Sequence, residues 1–290
     1  MNLKLLLEQL LAEEVDEVAV SPKQATSEQL ALHNADDAAI VLYSPKLIID
    51  RIQRAMQEHS FEKEDMDERV IERLINDTSA VVGVLQIDDS DIDASDCYEV
   101  MGSAAERKYG PLVYDLGMVS IYPAFLLSDR NSVSSEAQEV WKYYLNSRKD
   151  VEHVLLAGAE NIDNFGGIVP EIGTREIYSD MEDYQRLRGA IESLNALIDK
   201  PTLMPVKSAI TKLNTYRAEK KQIEERYKAW VLKNPLAYKY RISKPIQSKT
   251  LKNNHATCVR NITKLLSSIK ARDIERGISL AALSYLREKI

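Results

Sequence analysis

Eight residues between positions 99 and 110 have the types and spacing for acid–base and anion chemistry: Glu99, Gly102, Ser103, Glu106, Arg107, Lys108, Tyr109 and Gly110. The two carboxylates can accept a proton, the two adjacent cations can hold an anion, and the small residues let a ligand approach the main chain. The stretch enters as a strand, with Tyr98 and Val100 on one face and Glu99 and Met101 on the other. It is predicted to turn through Gly102–Gly110 and to re-enter order at Pro111. Proline is tolerated at a first helical position because the amide it lacks has no helical partner there. Leu112, Leu116 and Val119 then recur at helical spacing. A strand, a small-residue loop and a helix start make an anion site, because the loop and first-turn amides point outward.

The segment resembles the cofactor-binding stretch of the GNAT N-acetyltransferase family, in which a central strand runs into an R/Q-x-x-G-x-G/A loop. Arg107-Lys108-Tyr109-Gly110 supplies R-x-x-G, and Leu112 stands where Gly or Ala is expected. The resemblance implies a GNAT-like α/β fold, with a mixed, mostly antiparallel sheet flanked by helices, over roughly residues 37 to 150. It implies acetyl-CoA as cofactor, held by Gly102, Ser103 and Arg107 to Gly110. A main-chain amide around Met101 to Ala104 would polarise the thioester carbonyl, and Glu99 or Glu106 would act as base. The helix that follows carries a family pattern like N-x-x-A-x-x-x-Y-x-x-x-G-F. Ala137 fits it, Ser134 replaces Asn and Trp141 replaces Tyr, so the acid role passes by proximity to Tyr143 or Tyr144. The phrases YGPLVYDL, LSDRNSVSSEAQEVWKYYLNSR and NPLAYKY are also similar to bacteriophage-encoded acetyltransferase-like proteins. That second resemblance implies a host-cytoplasmic or virion location.

The elements that must position these residues follow from the flanking patterns. Ala38–Tyr43 reads as a buried strand stopped by Ser44-Pro45, and Leu47–Glu58 and Asp65–Asn76 read as amphipathic helices. Ser79–Ile87 is a β-branched strand. Between it and Cys97, Asp89, Asp91 and Asp93 have calcium-loop spacing, but Ala94 and Val100 occupy the Gly and bidentate-Glu positions, so the segment reads as a solvated hairpin tip. Ser134 is placed to cap a helix reaching Asn146, and Val151–Leu156 reads as a strand. The glycines at 158, 166, 167 and 173 mark a connector over 158–177. This gives an N-terminal helix and linker (1–36), an acetyltransferase-like domain (37–157), the connector, and a helical basic C-terminal region (178–290). In that region 234–250 reads as extended or looped, while Gly277 and Ser279 offer a helix stop and a new start.

Composition excludes several classes. Cys97 and Cys258 stand far apart, and His33, His59, His153 and His255 form no close pair, so neither a disulfide framework nor a metal site is implied. The Leu3–Leu11 stripe is broken by Glu8 and followed by acids, which makes it an amphipathic helix rather than a targeting segment. No run reaches the ~18 apolar residues of a membrane span. The net charge of −7 is polarised: from Arg226 to Arg272 there are twelve Lys or Arg and no Asp or Glu, leaving −19 elsewhere. Lys239, Arg241, Lys244, Lys249 and Lys252, interleaved with Tyr238 and Tyr240, suit a nucleic-acid backbone with rings for stacking, or an acidic protein surface. Three functions are therefore expected to compete. One is an acetyl-CoA-dependent N-acyltransferase acting on an amine. The second is a catalytically silent virion or host-interaction scaffold. The third is a nucleic-acid-associated protein using 226–272.

Overall fold

Apolar alternation becomes a sheet and amphipathic periodicity becomes the helices that cover it. The computed structural model describes residues 21, 24–25, 28–34, 39–58, 67–77, 79–92, 96–129, 133–169, 175–198, 206–243, 248–266 and 269–289. The expected N-terminal helix, Asp93, Ala94 and Lys244 lie outside them. The described residues form strands β1 (Ala31–Asn34), β2 (Ala39–Tyr43), β3 (Val81–Asp89), β4 (Cys97–Ala105), β5 (Phe125–Leu127), β6 (Val151–Leu155) and β7 (Tyr238–Ile242). The helices are α1 (Pro45–Gln57), α2 (Glu68–Asn76), α3 (Gly110–Ser120), α4 (Ser135–Asn146), α5 (Arg175–Ile198), α6 (Val206–Val231), α7 (Lys249–Leu265) and α8 (Ala271–Lys289). The fold is thus mixed α/β, with sheet order β1-β2-β3-β4-β5-β7-β6. Strands β1 to β4 are antiparallel, β4 and β5 are parallel, and β5 and β7 are antiparallel.

The chain divides into two units. The first holds residues 1–129, 148–152 and 240–290, and the second holds 130–147 and 153–239. The stretch expected to form one C-terminal region, 178–290, is therefore shared between them. In the first unit, α1, α2, α7 and α8 cover one sheet face. Val41, Tyr43 and Val84 pack there with Ile48, Ile71, Ile262 and Ile278. The other face carries α3, which comes so close that a Cβ on Gly83 would clash with Val113 Cγ2. Local signals start these helices: Asp67 Oδ1 accepts from the amides of Arg69 and Val70 at 3.0 and 2.9 Å. In the second unit Ser134 caps α4 as expected, its Oγ accepting from the Ala137 amide at 3.2 Å. Phe165 there packs its ring against Tyr178, Tyr227 and Trp230.

Three expectations are corrected. Gly102 to Ala105 continue strand β4 rather than turning, because they pair with β3 as far as Gly83. Residues 238–242 are a strand, with Tyr238, Tyr240 and Ile242 on its buried side. Gly277 and Ser279 lie inside one continuous helix, α8, because Gly277 sits against Ile71 and the Glu68 carbonyl of α2.

A polar network lies inside the apolar layer. Tyr43 Oη is 2.8 Å from His255 Nδ1, and His255 Nε2 is 3.5 Å from Glu275. The His255 ring stacks on His33 at 4.6 Å, and His33 Nε2 is 3.1 Å from Ser279 Oγ. Burial pushes the Cys258 thiol up to about 11, against the lowering effect of its Tyr43 hydrogen bond. Burial also lowers the His255 pKa below its usual 6.5, outweighing the nearby Glu275 carboxylate. The unfolded chain then takes up this proton before the folded one does, so the contribution is present above pH 6.5 and is lost as pH falls below it. The melting temperature is expected to drop between pH 7.5 and 5.5, and His255→Gln to flatten that slope. Equal pH dependence in the variant would refute the assignment.

Candidate functional site

Strand β4 carries a bulge. Gln86 pairs with Gly102 and Ile87 with Val100, which leaves Met101 as an extra residue, 50% exposed. Such bulges interrupt the ladder and re-aim the chain beside functional sites. The bulge lies just beyond the point where β4 loses its other neighbour. Parallel pairing with β5 covers only Cys97, Tyr98 and Glu99, opposite Phe125, Leu126 and Leu127. From Val100 onward, β4 has no strand partner on that edge among the described residues. Half-buried Glu99 sits at this parting, with Asp88 opposite it on β3. Ser103, beyond the bulge, meets α3: its Oγ is 2.7 Å from Tyr114 Oη. Burial pushes Tyr114 up to about 12, with the Ser103 bond opposing and Asp129 adding to the rise.

The loop itself is shorter than expected and is pinned from both sides. The Glu106 amide donates to the Val82 carbonyl at 2.9 Å, and the Tyr109 amide to the Glu106 carbonyl at 3.0 Å. Between them Lys108 adopts φ +77°, a left-handed conformation that costs a non-glycine residue ~1–2 kcal/mol. Such a conformation persists where the surroundings over-determine it. Tyr109 Oη donates to Glu28 at 2.6 Å, and Glu106 Oε1 accepts from Tyr285 Oη of α8 at 3.1 Å. Lys289 Nζ lies 3.6 Å from the same oxygen. Burial, reinforced by Glu28, pushes Tyr109 up to about 12, and burial with Glu106 raises Tyr285. Arg107 and Lys108 point outward and are exposed, and Lys108 Nζ is 5.4 Å from the Tyr109 ring centre.

Helix α3 then begins at Gly110 with Pro111 in its first turn and no side-chain cap from Tyr109. Pro111 has no amide, Leu112 is buried and the Val113 amide donates to the Tyr109 carbonyl at 3.0 Å, which leaves the amide of half-buried Gly110 for water or an anion. Leu112 is 1% exposed, its side chain committed to the core. Further along the helix, buried Asp115 is held by Arg148 Nη1 at 3.1 and 3.2 Å, and Arg148 also grips Asp150. Two of the expected proton carriers are thus engaged structurally. Glu106 ties the loop to α8, and Tyr144 lies in the second unit, fully buried, with the Trp141 and Tyr143 rings each 6.0 Å away.

The structure brings Glu99, Gly102, Ser103, Glu106, Arg107, Lys108, Tyr109 and Gly110 into one unit, along β4 and its exit loop. Sequence reasoning missed Glu28, Tyr114, Tyr285 and Lys289. Tyr114 lies within the helix predicted after the loop, and its hydroxyl is a visible polar group on an apolar stretch. The other three come from remote segments and give no local signal. Among the described residues, no three His, Cys, Asp or Glu side chains gather as a metal site, and no helix is long and apolar enough to cross a membrane. No family model, curated protein or solved structure matches the chain.

Proposed function

We propose that this chain is an acetyl-CoA-dependent N-acyltransferase of GNAT-like fold. The carrying observation is the bulge at Met101, placed where β4 parts from β5, on the strand that continues through Ala105 into the Arg107–Gly110 loop. The residues present fit the cofactor. Two exposed cations beside the Gly110 amide, at a helix start without a side-chain cap, suit a diphosphate, and the Leu112 side chain is buried in the core. Acetyl-CoA, when bound, supplies an acyl group activated as a thioester. Arg107, Lys108 and the Gly110 amide hold anionic oxygens, and main-chain amides beside Met101 are placed to polarise a carbonyl. Glu99, at the parting of the strands, takes a proton from the acceptor amine, while Glu106 holds the loop in shape.

The alternative is a catalytically silent phage or host-interaction scaffold. It is favoured by the engagement of Glu106 with Tyr285 and by the burial of Tyr144. Calorimetry with acetyl-CoA tests the reading. Wild type is expected to bind with a micromolar Kd, about −8 kcal/mol. Arg107→Glu/Lys108→Glu should weaken binding by about tenfold or more, since charge-assisted hydrogen bonds contribute ~1.5–3 kcal/mol each. No binding to folded wild type at ~1 mM, a level that reveals interactions of only about −4 kcal/mol, refutes the acyltransferase. Binding without release of free CoA over a panel of amines selects the scaffold.

A further inference from the structure

The sequence presents twelve cations between Arg226 and Arg272 as one basic run, and the structure sets some of the described ones apart from others. Several are spent on carboxylates. Arg226 pairs with Asp180, Lys228 with Glu160 at 3.0 Å, Arg241 with Glu152 at 2.6 Å and Arg272 with Asp273 at 3.5 Å. The rings expected to stack on bases are also withdrawn: Tyr238 and Tyr240 are both buried. The cations left over concentrate on one helix. Lys249, Lys252, Arg260 and Lys264 of α7 are exposed and pair with no described carboxylate.

We propose that the outward face of α7 docks the phosphate backbone of a nucleic-acid duplex. At 100° per residue the four cations fall on one side of the helix, opposite buried Leu251, Cys258 and Ile262. Lys249 and Lys264 are fifteen residues apart, so the stripe is ~22 Å long. That length meets several phosphates on a rigid duplex. The exposed residues between the cations are Thr250, Asn253, Ala256, Thr257 and Asn261, and the helix carries no Asp or Glu. Lys, Arg, Asn and Thr are the side chains that bind phosphate oxygens.

Other polyanions fit less well. A protein interface needs an aromatic or apolar centre, and membrane docking needs an apolar face to insert, but this face offers only Ala256. The neighbouring acids do not cancel the stripe. On α8, Asp273 pairs with Arg272, and Glu275, whose partner His255 is held neutral by burial, is one charge against the four cations of the stripe, while on α1 Lys46 and Arg54 accompany Asp50. The overall −7 does not prevent docking either, because charges beyond ~8 Å are largely screened at physiological salt.

The test is fluorescence anisotropy with labelled DNA and RNA duplexes of about 24 base pairs, roughly 80 Å long at 3.4 Å per pair, across 50 to 200 mM salt. Wild type is expected to bind either duplex, without sequence preference, with a Kd of ~1–100 µM. The slope of log K against log salt should be about −3 to −4, near −0.9 for each of four phosphates. Lys249→Gln/Lys252→Gln/Arg260→Gln/Lys264→Gln should abolish both the binding and the slope. Neutralising four exposed lysines elsewhere (Lys149, Lys207, Lys212 and Lys233) gives the same change in side-chain charge and should leave both intact. If the quadruple variant does not fold, Lys249→Gln/Lys252→Gln, expected to lose about half the slope, takes its place. Three outcomes overturn the proposal: no duplex binding at ~50 mM salt, binding that the α7 changes leave untouched, or binding to phosphatidylserine vesicles but not to duplexes.

Discussion

Gly277→Val is expected to lower the stability of the first unit by about 3 kcal/mol. A Cβ at Gly277 would lie 2.6 and 2.7 Å from Ile71 Cγ2 and Cβ and 2.9 Å from the Glu68 carbonyl. Two of these atoms are fixed by the main chain of α2, so helix α8 has to move away. The helix-propensity gain of replacing glycine by valine is ~0.4 kcal/mol, too small to offset the clash. In melting experiments the midpoint should fall by about 6–12 °C. Moving α8 also carries Tyr285 and Lys289 away from Glu106, so the exit loop of β4 should loosen, and under the proposed function acetyl-CoA affinity should fall with it. Gly189→Ala is the matched control. Nothing lies within 4 Å of its added Cβ, and on an exposed helix it should gain up to ~1 kcal/mol. If Gly277→Val melts within about 2 °C of wild type, less than the shift that 1 kcal/mol gives in a domain of this size, α8 is not seated on α2 as described.

Asp115→Ala is the second large effect, a loss of about 3–5 kcal/mol. The Asp115 carboxylate is 7% exposed and Arg148 15%, so deleting one charge strands the other away from water. Arg148 keeps Asp150 at 2.6 Å, which limits the loss and sets it towards the lower end of the range. The same guanidinium, by hydrogen bonding first, holds the Asp150 carboxyl below its usual range. Asp115→Asn/Arg148→Met removes both charges and should recover part of the stability. Two single variants whose effects simply add would show that the pair is not coupled. Because Asp115 lies on α3, Asp115→Ala should also shift the helix start that follows Gly110, and with it any anion held there.

Local pattern carried much of the fold. Strands β2 and β3, helices α1 and α2 and the Ser134 cap were legible because alternation, period and cap chemistry act within a few residues. Strand β7 was legible in principle, since Tyr238, Tyr240 and Ile242 alternate, but Asn234-Pro235 and the intervening cations left it between an extended segment and a loop. Strand β1 is four residues long, too short to present a period. The small residues Gly102 to Ala105 read as a turn. Their pairing with β3 and the close approach of α3 to Gly83, both long-range facts, make them a strand.

The residue types of the candidate site were fixed by sequence: Arg107, Lys108 and Gly110 share one loop, and Glu99 lies on the strand that leads into it, roughly 20 Å before its end at ~3.3 Å per residue. How the site's side chains are held was decided only in three dimensions. Glu106 is taken by Tyr285 and Tyr109 by Glu28, partners 179 and 81 positions away. The bulge at Met101 depends on the register against β3, and register belongs to the pair of strands rather than to either one. The basic run behaves alike. Its charge was plain from composition, but only the folded chain, by placing Asp180, Glu160 and Glu152 against some cations and turning α7 outward, determined which ones face solvent. Short-range periodicity is written into the residues themselves, whereas the pairing of remote charges and hydroxyls exists only once the chain has closed on itself.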